Sequence, residues 1–131
     1  MTGIRPTSDI QTFTGSVSLR ALQVPNEESS LAIYEVTFDA GARTHWHTHP
    51  LGQALYVTSG TARVQIGDTQ PVDQAAGSYV WIPAETRHWH GAAPDAPMTH
   101  VAIQQAAEDG TTICWDEPVS DPEYSGRRLP G

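Results

Sequence analysis

The chain has 131 residues and carries a formal net charge of −8 from seven basic and fifteen acidic side chains. That length suits one domain around one core, and the charge argues against nucleic acid or an anionic membrane surface as the principal partner. All seven basic residues are arginine, which excludes chemistry on a lysine Schiff base.

The opening residues, MTGIRPTSDIQ, lack the apolar run of a secretion signal, and no stretch is long enough to cross a membrane. The lone cysteine, Cys114, fits a reducing compartment, so a cytoplasmic protein is expected. The first dozen residues and the closing SGRRLPG read as tails, frayed or used in subunit contacts.

Between ten prolines and eleven glycines the apolar pattern has period two. Tyr34, Val36 and Phe38 share one face against Glu35, Thr37 and Asp39. Ala62, Val64 and Ile66 alternate with Arg63 and Gln65 in the same way. Residues 78–83 and 98–104 read as strands with less polar outer faces, which suggests contact with another sheet or another subunit. Turns are expected at DAG, HPLG, TSG, IGDTQP, AAG and APDAP. One helical turn is expected near the end, with Ser120 as cap, Pro122 early and Glu123 reaching back. The expected class is all-β, a single domain over 1–131 with its core at about 11–117, folded as a sandwich or barrel.

All six histidines lie in three places: His45, His47 and His49; His88 and His90; and His100. On a strand His47 and His49 project from one face and can reach one ion at about 2 Å. The turn at Pro50–Gly52 can bring Gln53 back to the same ion, and His88 must arrive from a neighbouring strand. His90 shares a face with His88, and His45 with His47; both read as supporting or core groups rather than further ligands. Trp46 and Trp89 fall on the opposite faces and read as packing.

At these positions the chain resembles the cupin superfamily. Gly41, His47, His49, Gln53 and Gly60 fall at the spacings of its first motif, with glutamine where glutamate is usual. Gly77, Pro83 and His88 match the second, although Glu85 stands at its second glycine and Ala92 where asparagine is common. The resemblance implies a small jelly-roll barrel and a divalent metal ion held by His47, His49, Gln53 and His88. Because Gln53 is neutral, such an ion would keep its full charge, which favours Lewis-acid chemistry over stabilisation of high-valent iron. Imidazole-rich sites take manganese, iron, zinc, nickel or cobalt. His100 shares a strand face with Ala102 and Gln104, and fits either a base beside the ion or a hydrogen-bonded core histidine.

A narrower group is more similar still, the small bacterial manganese-dependent cupin hydroxynitrile lyases. The shared strings are TFTG, VTF, GART, WHTHPLGQ, HWHGAAP, MTH, AIQ and WDEPVSDPEY, spanning about residue 11 to Tyr124. The likeness implies manganese, cleavage of a small cyanohydrin to a carbonyl compound and hydrogen cyanide, His100 as base with His90 beside it, and Gln104 orienting the substrate. Tyr34, Val36, Phe38 and His45 would line the pocket. Tyr34 and His45 replace small residues of that group, which implies a narrower cavity and leaves room for another cleavage of a hydroxy compound. Two other functions fit a cupin site, an iron-dependent dioxygenase and a non-catalytic metal or small-ligand binding module. A homodimer or homotetramer is expected.

Overall fold

The computed structural model describes the backbone of residues 4–6 and all of residues 12–126. The tail readings for the other N-terminal residues and for residues 127–131 lie outside the described residues. The strands in chain order are β1 (Ile4–Pro6), β2 (Phe13–Thr14), β3 (Val17–Gln23), β4 (Leu31–Phe38), β5 (Arg43–Thr44), β6 (His47–Thr48) and β7 (Gln53–Ser59). They continue with β8 (Thr61–Ile66), β9 (Val72–Ala75), β10 (Tyr79–Ile82), β11 (His88–Ala92), β12 (Met98–Gln105) and β13 (Cys114–Trp115), before the helix α1 (Asp121–Ser125).

One sheet runs β1-β3-β4-β12-β7-β10, and the other runs β13-β6-β11-β5-β2 with β8 and then β9 on the far side of β11. The expected alternation sets the core. Ala32, Val36 and Phe38 of β4 are buried, as are Met98, His100, Ala102 and Gln104 of β12. Leu55, Val57 and Ile82 from the first sheet meet Ala62, Val64 and Ala92 from the second in one apolar cluster. The fold is all-β, two antiparallel sheets closed on a common core.

The closing chain is more integrated than the sequence boundary near 117 allows. Val119 and Tyr124 are buried with Trp46 and Trp89 in a second cluster. Ser120 and Glu123 form the expected capping box at the start of α1, worth about 1 kcal/mol. The Tyr124 hydroxyl donates to the Ala92 carbonyl at 2.6 Å, and the guanidinium of buried Arg43 lies 4.5 Å from its ring centre. At the other end, residues 4–6 pair with β3, so this part of the expected tail is an edge strand.

Two backbone details place the site. Between β5 and β6 the strand is interrupted at His45 and Trp46, which breaks the alternation there. Gly52 closes the turn before Gln53 with φ 86°, and a Cβ on it would come within 2.6 Å of the Trp81 ring. Only glycine fits both demands.

Candidate metal centre

β6 and β11 place His47 and His88 directly opposite each other, with ring centres 4.2 Å apart. His49 follows β6 on a loop that is pinned from two sides, since its carbonyl accepts from the N–H of Gly52 at 3.4 Å and of Glu85 at 2.9 Å. Gln53 opens β7 and is 3 % exposed; the three histidines are at 1 % or less. The His49 ring lies 5.0 Å from that of His47 and 5.4 Å from that of His88, and the Gln53 side chain reaches His88.

Their hydrogen bonds fix which nitrogen faces inward. Nδ1 of His47 bonds the His45 carbonyl at 2.9 Å, Nδ1 of His49 the Thr112 carbonyl at 2.7 Å, and Nδ1 of His88 the Thr86 carbonyl at 2.9 Å. A carbonyl only accepts, so each Nδ1 carries the proton and each Nε2 presents a lone pair. Burial is the main reason the rings stay neutral. It holds His88 down to about 4, helped by the nearby His49 and opposed by the Thr86 carbonyl. His47 is held well below the usual imidazole range by burial, then by His88 and His49. His49 is lowered by burial against the pull of the Thr112 carbonyl.

Two observations fit this donor set to a cation. His49 Nε2 is buried with the Gln53 side chain beside it but no well-formed hydrogen bond, a costly state for a polar atom in a dry interior. His88 Nε2 lies 3.1 Å from Gln53 Oε1; with the His88 proton committed to Thr86, this is one acceptor facing another. Lone pairs at that distance repel unless a positive charge lies between them. Donors about 2.1 Å from one ion, at right angles to each other, stand about 3 Å apart. The ligand nitrogens of His47, His88 and His90 also lie within 4.8 Å of one another, so three imidazoles can hold a metal ion.

His90 belongs to that possible ligand group, where the sequence reading made it a supporting residue, and it also pairs with His100. His90 Nδ1 and His100 Nε2 are 2.9 Å apart, and the other ring nitrogen of each is buried without a partner. Burial lowers His100 to about 4. It holds His90 well below the usual imidazole range too, with His100 and His47 adding to the effect. A register shift between β12 and β7 falls between Thr99 and His100, and the residue it leaves without a partner is Thr58 of β7. Phe38 packs edge-on to both rings, at 5.2 Å from His100 and 6.1 Å from His90. His100 is opposite Val36 on β4, and Ala102 is opposite Tyr34, so Tyr34, Val36 and Phe38 share the inner face with this pair. Gln104 accepts a hydrogen bond from Gln53 Nε2 at 2.9 Å.

His45 stands apart. It is buried at 7 %, but among the described residues its ring contacts none of the other five, and it faces the backbone of Asp116. The strand break at residues 45–46 is the reason. His45 supports the site through its carbonyl, which holds His47.

Residues 34–103 match the family model of the cupin domain, just over half of the chain. The chain is a cupin. This cupin is 44% identical over 112 residues to the (R)-mandelonitrile lyase of Granulicella tundricola, an alignment covering 86% of this chain and 85% of that one. Its fold matches the crystal structure of a cupin-like protein from Thermotoga maritima with a TM-score of 0.82 and 36% identity, over 88% of each chain. A cupin 2 conserved barrel domain protein from Rhodopseudomonas palustris shares the fold at a TM-score of 0.71 and 18% identity, covering 93% of this cupin and 80% of that chain.

Several supporting groups had no signal in the sequence. The carbonyls of Thr86 and Thr112 orient two imidazoles, and backbone groups leave no side-chain signature. Trp115 on β13 packs 4.8 Å from the His47 ring and 5.8 Å from Phe13. Only the β13–β6 pairing, invisible in a two-residue strand, brings it there.

Proposed function

We propose that this cupin is a metal-dependent carbon–carbon lyase of the hydroxynitrile lyase type, cleaving small cyanohydrins to a carbonyl compound and hydrogen cyanide. The carrying observation is the pairing of an all-neutral donor set, His47, His49, His88 and Gln53, with a buried neutral dyad, His90 and His100. The likeness to the (R)-mandelonitrile lyase of Granulicella tundricola supports the same chemistry. A divalent ion at the four donors, with manganese the leading candidate, would supply Lewis acidity toward the nitrile or the departing cyanide.

The dyad supplies the proton chemistry. One proton occupies the hydrogen bond between the two rings, and either tautomer leaves one outer nitrogen with a lone pair. With His100 donating to His90, the His100 Nδ1 accepts the substrate hydroxyl proton. The carbon–carbon bond then breaks toward cyanide, and the proton returns to the cyanide carbon. Tyr34, Val36 and Phe38 offer an uncharged wall for the carbonyl substituent. Manganese-loaded protein is expected to release cyanide from (R)-mandelonitrile at mildly acidic pH. Release no faster than by the His47→Ala variant would falsify the proposal.

The self-association expected for the chain is best supported by the outer face of the first sheet. Tyr56, Tyr79 and Trp81 are 46 %, 63 % and 51 % exposed, and Tyr56 and Tyr79 pair across β7 and β10. A homodimer or homotetramer formed there should lose mass in sedimentation on Trp81→Ser substitution; an unchanged mass rules this face out.

A further inference from the structure

We infer that Gln104 is a positioning residue for the metal centre, its side-chain carbonyl fixing which end of the Gln53 amide faces the ligand imidazoles. The inference rests on the reading of Gln53 as a ligand, but not on the reaction that the site performs.

Gln104 on β12 and Gln53 on β7 stand opposite each other in register, both buried. The Gln53 –NH2 group donates to Gln104 Oε1 at 2.9 Å, which turns Gln53 Oε1 to within 3.1 Å of His88 Nε2. An amide has one end that binds a cation and one that repels it. Rotated by half a turn, Gln53 would aim its –NH2 at the His88 lone pair. That arrangement satisfies both groups without an ion and closes the site against one. The two orientations have similar hydrogen bonding, so the partner on the far side selects between them. An acceptor at residue 104 selects the metal-ready one.

The same reasoning explains why the two glutamines occur together. A glutamate at 53, the residue usual in the cupin motif, presents two equivalent oxygens and has no wrong end. Only a glutamine ligand needs its rotation fixed by a neighbour. Gln104 is therefore matched to Gln53, and its Oε1 is committed to that task rather than available to orient a substrate.

The test is manganese affinity, measured on metal-stripped full-length protein from the electron paramagnetic resonance signal of unbound Mn2+. The variants are Gln104→Leu, Gln104→Glu, Gln53→Glu and the double variant Gln53→Glu/Gln104→Leu. With Gln53 present, Gln104→Leu is expected to weaken binding about 10- to 100-fold, the range for lost outer-sphere partners. Gln104→Glu, which still accepts, restores it to within about threefold of wild type or tighter. In the Gln53→Glu background, Gln104→Leu changes affinity by less than about threefold. Equal losses in both backgrounds would show that residue 104 acts through packing alone and overturn the inference, as would wild-type affinity in Gln104→Leu. Gln104→Met replaces the leucine variant if that one fails to fold. Wild-type protein that takes up no manganese overturns the metal reading itself, a different result from equal affinities.

Discussion

His90 Nδ1 and His100 Nε2 lie 2.9 Å apart, so the two rings share one proton and act as a unit. If that unit is the base, His100→Asn should lower kcat for cyanohydrin cleavage by roughly 10²- to 10⁴-fold. Manganese content per chain should stay at the wild-type value, since His100 is neither a proposed ligand nor in the histidine group that could hold an ion. Parallel loss of metal and activity would instead make His100 a ligand, and elemental analysis separates the two.

The convergent donors predict a stability effect of their own. His88 Nε2 and Gln53 Oε1 face each other at 3.1 Å and His49 Nε2 is buried without a well-formed hydrogen bond, and an ion relieves both. Manganese at about 100 times its dissociation constant should stabilise the fold by about 2.7 kcal/mol. A chelator should reverse the gain, and His49→Ala should abolish it. Thermal unfolding with and without manganese reads both; a midpoint indifferent to the metal would sink the assignment.

Acid should destabilise the metal-free protein. In the unfolded chain each imidazole takes a proton near pH 6.5. In the folded chain His88 and His100 do so only near 4, because burial opposes the charge. Below pH 6.5 the unfolded state therefore binds more protons, and stability falls as pH drops from 6.5 toward 4. The contribution is complete above the unfolded value and gone below the folded one. Each such group accounts for about 3 kcal/mol across that window. Unfolding midpoints collected from pH 7 to pH 4 should slope steeply, and His100→Phe should flatten the slope by about one proton's worth. An equally steep profile in His100→Phe would show that the depression lies elsewhere.

Much of this site was legible because strand alternation and ligand spacing obey the same period of two. His47, His49 and His88 could be assigned to one cavity from spacing and motif, and His100 and Gln104 from the alternation of β12. His45 defeated the same rule, because the strand breaks between Thr44 and His47 and alternation carries no information across a break. The buried Val119 and Tyr124 were missed for another reason. They pack on the outside of the second sheet, after a stretch with no strand pattern, so periodicity had nothing to report. The Gln53–Gln104 bond lay between two residues singled out separately, and only the register of β7 against β12 shows that they meet.

Glu85 shows a motif departure that kept its backbone. It occupies the second glycine of the second cupin motif and holds φ 61°, the left-handed region, while its N–H anchors the His49 carbonyl. A side chain in that conformation costs about 1 kcal/mol relative to glycine. Glu85→Gly should therefore raise folding stability by no more than about 0.6 kcal/mol, once glycine's greater freedom in the unfolded chain, worth about 0.4–1 kcal/mol, is subtracted. Denaturant titration is the measurement, and a loss of stability would mean that the glutamate side chain contributes an interaction outweighing the strain.

Tyr34 offers the most direct control over substrate size. It sits opposite Ala102 on the inner face, one step along β4 from Val36 and so one step from His100. It is only half-buried and packs against the edge of the core, so its ring fills space that a bulky carbonyl substituent would need. Tyr34→Ala should shift kcat/KM toward mandelonitrile relative to acetone cyanohydrin by roughly tenfold or more, the scale on which a pocket reads a single methylene. The stability cost should stay below the 3–5 kcal/mol of a fully buried aromatic, because part of the ring already faces solvent. Wild-type discrimination in the variant would mean that substrates approach the histidines from another side. The inner face of β4 would then be packing rather than a wall of the reaction chamber.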